Sequence, residues 1–228
     1  KLNFRKWLFV RFKTSVMPPV HIVDRYMEAV KELRVTNDGE GLDFFIPPGE
    51  EVDRSSLPVP YKSGFIGFVI GGKHNTKILP VDKVIEVCIG LKKPVILLGG
   101  SEDTVRGEAV SRACGEGVMN ACGKYSLMQS ASLVKQADFI ITNDTGLMHI
   151  AAAFRKSTVS VWGNTIPSLG MDPYLPADVP HLISEVSGLD CRPCSKIGFD
   201  KCPKDHFRCM REQNTDAIVE FIVANSTK

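Results

Sequence analysis

No stretch of this 228-residue chain approaches eighteen consecutive apolar residues, so none of it is built to cross a membrane as a helix. A strong charge imbalance is also missing. The 28 basic and 26 acidic residues leave a net charge of +2 and a pI near 8.2, too mild to point to nucleic acid as a partner. The opening KLNFRKWLFVRF lacks an initiator methionine, and it has neither the apolar core nor the cleavage site of a signal peptide. It reads as a start inside a longer protein. What is present is globular: 43% hydrophobic and 24% charged residues, enough for one large domain or one and a half ordinary ones.

From residue 65 onward, short apolar runs alternate with helix-like stretches. FIGFVI (65–70), PVILL (94–98), VMNAC, FIIT and STVSVW (157–162) read as strands. Between them PVDKVIEVCIGL (80–91), SEDTVRGEAVSRA with Ser101 as N-cap, SLMQSASLVKQA and LMHIAAAF read as helices. Continuous apolar strands alternating with helices predict a doubly wound parallel sheet covered on both faces. Ligands then sit beyond the carboxyl ends of the strands, at Gly71–Lys77, Gly99–Glu102 and Asn143–His149. The chain before residue 65 differs. WLFVRF and LDFFIP are expected as strands and VHIVDRYMEAVKELRV as an amphipathic helix, followed by a linker rich in Pro, Ser and charge at 47–64. We expect residues 1–57 to be the tail of another domain and its linker, and 58–228 to be the ligand-binding domain.

The segment DFIITNDTGLMHIAAAF (138–154) sets the functional question, since a strand there breaks at Asn143-Asp144-Thr145-Gly146 and a helix follows. One reading is an anion site: the first amides of a helix lack internal partners and sit at the positive end of its dipole. Gly146 lets a ligand close to the backbone, and His149, four residues after Thr145, shares its face. Lys77, beyond the first strand, can face the same crevice, and Glu102 is placed as a ribose acceptor would be, or as an ordinary surface carboxylate. The competing readings are a capped turn with a core histidine and the Asp-Thr-Gly of an aspartic protease. The protease needs an all-β setting and a second aspartate, whereas this motif leads into a helix former and occurs once.

The block FIITNDTGLMHIAAAFRKSTVSVWGNTIP resembles the Asp-Thr-Gly-x-x-His-x-Ala-Ala and Gly-x-Thr-x-Pro signature of glycosyltransferase family 9, the family of the ADP-heptose:lipopolysaccharide heptosyltransferases. GGKHNTKILP, PVILLGGSED and GKYSLMQSASLVKQADFIITND are similar to its donor-phosphate loop, its ribose-binding turn and the segment before the signature. The resemblance implies a GT-B type fold, with a Rossmann-like C-terminal donor domain and a partial N-terminal α/β domain. It implies an inverting, metal-independent transfer of heptose from ADP-heptose to a lipopolysaccharide inner-core or other glycolipid acceptor at the inner membrane surface, by a cytoplasmic protein peripheral to that membrane. No cofactor, metal or nucleic acid enters.

By position, Lys77 and His149 would meet the diphosphate as catalytic groups, with the amides of Thr145 and Gly146 and the loop glycine Gly72. Asp144 would meet sugar hydroxyls, Glu102 the ribose, and Tyr125 the adenine. Two departures stand out. The family's Lys-x-Trp-Pro is Lys77-Ile78-Leu79-Pro80 here, and the strands carrying the general-base aspartate are not in this sequence. The chain is therefore expected to bind donor and catalyse little alone. A GT-B epimerase and a non-catalytic nucleotide-sugar-binding module remain as alternatives.

The seven cysteines form two populations. Cys88, Cys114 and Cys122 are scattered and read as ordinary thiols of a reducing compartment. Cys191, Cys194, Cys202 and Cys209 crowd into a segment of the kind many family members carry. Four-thiolate zinc, free thiols and two disulfides all fit that spacing.

Overall fold

The structure, a computed structural model, describes residues 2–13 and 17–226. Helices α1 (Asn3–Phe12) and α2 (Ile22–Ala29) come first, and a short α3 (Val59–Lys62) precedes the sheet. Then β1 (Ile66–Val69), α4 (Val81–Leu91), β2 (Val95–Leu98), α5 (Thr104–Cys114), β3 (Val118–Asn120), α6 (Leu127–Gln136), β4 (Phe139–Asn143), α7 (Gly146–Ala153) and β5 (Thr158–Trp162) alternate. Strand β6 (His181–Glu185), a short α8 (Arg208–Arg211) and α9 (Thr215–Asn225) close the chain.

All six strands pair in parallel in the order β3-β2-β1-β4-β5-β6. This is the doubly wound Rossmann order, and its switch point lies between β1 and β4. The apolar strands are continuous because both faces are covered. Ile66, Phe68 and Ile70 pack into one layer with Val84, Val87 and Leu91 of α4 and Ile218 and Ile222 of α9. The alternate side chains Phe65 and Val69, with Ile96 and Ile140, meet Ala131 and Val134 of α6 and Ala151 of α7. Leu57 and Tyr61, with the half-buried Phe44, Ile46 and Val52, join that second layer, so residues 44–61 lie against the sheet rather than hanging free.

Several local expectations fail. WLFVRF belongs to helix α1, and LDFFIP joins no strand among the described residues. A short apolar run carries no preference between helix and buried strand until a partner edge exists. Ser101 is not an N-cap but opens a 3-10 turn, and the buried Asp103 carboxylate accepts the Gly100 N–H instead. The helix at 20–35 is shorter than its periodicity, giving way after Ala29 to a 3-10 turn at Lys31–Leu33. Strand β4 runs one residue past Thr142, so Asn143 enters the sheet.

Candidate active site

The ends of β1, β2 and β4 face one crevice at the switch point, divided into two connected hollows. The larger, about 610 Å³, is lined by Gly72, Glu102, Arg106, Tyr125, Thr145 and Gly146 among others. The smaller, about 380 Å³, is lined by Lys73, His74, Lys77, Asp144, His149 and Ile197, and again by Thr145 and Gly146. The two meet over the start of α7. There Thr145 is the extended N-cap residue, and its side chain makes no capping bond. Among the described residues no protein acceptor meets the amides of Gly146 and Leu147, whereas Met148 N–H turns back to Thr145 O at 3.2 Å. Open amides at the positive end of a helix form an anion site.

The corner is held by Asn143, which is fully buried. Its amide nitrogen donates to Val69 O (3.3 Å) and Gly71 O (3.1 Å), and its Oδ1 accepts Leu79 N–H (3.3 Å). One side chain thus clips the loop after β1, at both its ends, to the end of β4. That clip brings Lys77 to Asp144: Nζ lies 2.6 Å from Oδ2, with the two side chains 15% and 11% exposed. The Thr165 hydroxyl donates to the same Oδ2 at 2.8 Å. Asp144 Oδ1 has no partner among the described residues and is free to accept from a ligand hydroxyl.

His149 lies one turn into α7 on the same hollow. Burial holds its imidazole below the usual 6.5, with Asp144 working against that and the neighbouring His21 and Lys77 adding to it. It is neutral at pH 7 and ready to take a proton when an anion arrives. On the other wall, burial pushes the Asp103 carboxyl up, opposed by the Gly100 N–H and the Arg106 guanidinium, which forms a direct ion pair with it.

The structure therefore brings together every residue singled out from the sequence: Gly72, Glu102 and Tyr125 around the larger hollow, Lys77, Asp144 and His149 around the smaller, Thr145 and Gly146 between them. It adds Thr165, Asn143 and the Asp103–Arg106 pair. Thr165 stands in the Gly-x-Thr-x-Pro stretch, yet no local spacing says that it meets Asp144. The cysteine-rich segment gives no support to a four-thiolate zinc site or to two disulfides. Among the described residues no group of three or more His, Cys, Asp or Glu is arranged to hold a metal, and all seven cysteines are free thiols. Burial pushes Cys194 up to about 11 and Cys209 up to about 12.

The sequence pattern of glycosyltransferase family 9 (heptosyltransferase) matches residues 3–194. Lipooligosaccharide heptosyltransferase 2 of Haemophilus influenzae is 34% identical over 89 residues, covering 37% of this chain and 26% of that protein. Among solved structures, the family 9 glycosyl transferase from Veillonella parvula superposes with a TM-score of 0.68 at 22% identity, over 96% of this chain and 64% of that one. The E. coli heptosyltransferase WaaC with ADP gives 0.56 at 21% identity, over 93% of this chain and 59% of that one. The structural likenesses concern the fold alone, and this chain spans less than two thirds of each of these proteins.

Proposed function

The chain belongs to glycosyltransferase family 9, and from that premise we propose that its crevice binds an ADP-sugar, ADP-heptose in particular, as the donor half of a heptosyltransferase. The acceptor is a lipopolysaccharide inner-core or related glycolipid, met on the cytoplasmic side of the inner membrane. Residues 1–57 are the end of the acceptor-side domain and its linker, the linker lying back on the donor domain formed by 58–228.

The observation that carries this reading is the start of α7: unpartnered amides facing a hollow onto which Lys77 and His149 also open. A diphosphate resting there meets backbone donors, an ammonium and an imidazole that gains a proton as the anion binds. These groups are preorganised where negative charge grows as the glycosidic bond to the diphosphate breaks, so the leaving group is stabilised without a divalent metal or a cofactor. Asp144 Oδ1 accepts from hydroxyls of the transferred sugar. Glu102 faces the ribose and Tyr125 the adenine across the larger hollow. The sugar lies toward Asp144, open to attack from the side opposite the diphosphate, which gives inversion. The curated relative of 34% identity is named as a heptosyltransferase, which does not favour the epimerase or the purely binding alternative.

Calorimetric titration with ADP-heptose, UDP-GlcNAc and GDP-mannose tests the reading. ADP-heptose is expected to bind tightest, and equal affinity for the three nucleotides would remove the assignment.

A further inference from the structure

Segment 191–209, crowded with cysteines, supplies Ile197 to the wall of the smaller hollow but no group to the chemistry just described, and a second of its side chains reaches the back of the site. The Arg192 guanidinium is only 6% exposed, and all three of its nitrogens donate hydrogen bonds. Nε donates to Gly163 O (2.5 Å), Nη1 to Val186 O (2.8 Å), and Nη2 to Thr165 O (3.0 Å) and the Glu185 carboxylate (2.8 Å), with Trp162 O at 3.5 Å. These acceptors are the backbone of the turn that leaves β5, together with the end of β6. The same turn is braced from behind, since Cys194 N–H donates to Asn164 O (2.9 Å) and the Asn164 amide donates to the buried Ser195 hydroxyl (3.2 Å).

Thr165 is the residue this turn presents to the site. It is 2% exposed, its carbonyl is held by Arg192, and its hydroxyl is held on Asp144 Oδ2, where Lys77 also docks. We propose that Arg192 is a positioning residue for the donor site, fixing the turn that holds Thr165 on Asp144 and thereby the orientation of Asp144 and Lys77. The inference rests on reading this crevice as a donor site. It also gives the cysteine-rich segment a role in the site, which is to deliver one planar, five-donor side chain behind strand β5. Only arginine can satisfy four carbonyls and a carboxylate from one rigid fork; a lysine there offers a single ammonium and lets the turn relax.

The test is calorimetric ADP binding by the wild-type chain, Arg192→Lys, Thr165→Val, the double variant and Thr165→Ser. Each of the first two single variants is expected to weaken ADP roughly 3- to 10-fold, the range of one lost hydrogen bond in a network. The double variant should bind no more weakly than the worse single one, because both break the same relay. Thr165→Ser keeps the hydroxyl and should restore wild-type affinity. Gln213→Ala is the structural control: that side chain donates to Trp162 O (3.0 Å) and Cys209 O (2.8 Å) without touching Thr165, so melting should fall while ADP affinity stays.

Unchanged affinity in Arg192→Lys, additive losses in the double variant, or an equal loss in Gln213→Ala would overturn the proposal. If Arg192→Lys does not fold, Glu185→Ala removes one partner of the guanidinium and carries the same comparison with Thr165→Val. A wild-type chain that does not bind ADP fails at an earlier step, against the donor reading itself.

Discussion

Gly146→Ala separates fold from function more sharply than any other single change. A methyl built on Gly146 meets nothing within 4 Å, and the residue's φ lies outside the left-handed region that demands glycine. It sits at the first position of α7, where alanine loses less chain entropy on folding. The variant should therefore fold normally and melt at or slightly above the wild type, by up to about 1 kcal/mol of added stability. Its methyl, however, projects into the open space that both hollows share over the unpartnered amides. A phosphate pushed off even one of those amides loses a charge-assisted hydrogen bond, about 1.5–3 kcal/mol, which is roughly 10- to 150-fold in affinity. The assay pairs a thermal melt with a calorimetric ADP titration. Wild-type affinity in a normally folded Gly146→Ala would refute the idea that diphosphate rests on this helix end.

Further outcomes follow from the same geometry. Lys77→Ala is expected to weaken ADP by a similar margin, on the order of 1.5–3 kcal/mol, and titration of the purified variant checks it. His149 resists protonation in the folded chain but not in the unfolded one, so as pH falls below about 6.5 the unfolded state binds the extra proton and stability drops. Denaturant melts between pH 5 and 7.5 should show that decline reduced in His149→Gln, and an identical decline in both proteins would contradict it. Gly71→Ala is the opposite of Gly146→Ala: its methyl would collide with Asp103 Oδ2, and that carboxylate is 1% exposed and tied to Gly100 and Arg106. Overpacking there should lower stability by about 1–3 kcal/mol, read as a shifted urea midpoint. Alkylation at pH 8 should leave Cys122 and Cys209 unmodified in the native chain, because burial pushes both thiols up to about 12. Mass spectrometry of the alkylated protein decides that.

The amino-acid sequence by itself determined the parallel sheet and the corner at its centre. Strands β1, β2, β4 and β5 are buried throughout and mostly apolar because both their faces are covered, and that pattern is written residue by residue. Asp144-Thr145-Gly146 followed by His149 is equally local, since helix geometry alone puts the imidazole and the first amides on one side. Where a segment's state depended on distant partners, local pattern misled. The run WLFVRF has the composition of a strand, but as helix α1 it buries Phe9 against Leu169 and Met17.

Tertiary structure alone decided how the site is wired. Lys77 reaches Asp144 across 67 positions because Asn143 clips two loops together, and Thr165 reaches the same carboxylate from the next strand. Arg192 holds that turn from a segment whose cysteine spacing left zinc, free thiols and disulfides open. Periodicity records which face of an element is buried. It does not record which loop ends the crossing order of a sheet brings within 3 Å of one another, and in this protein those loop ends carry the chemistry.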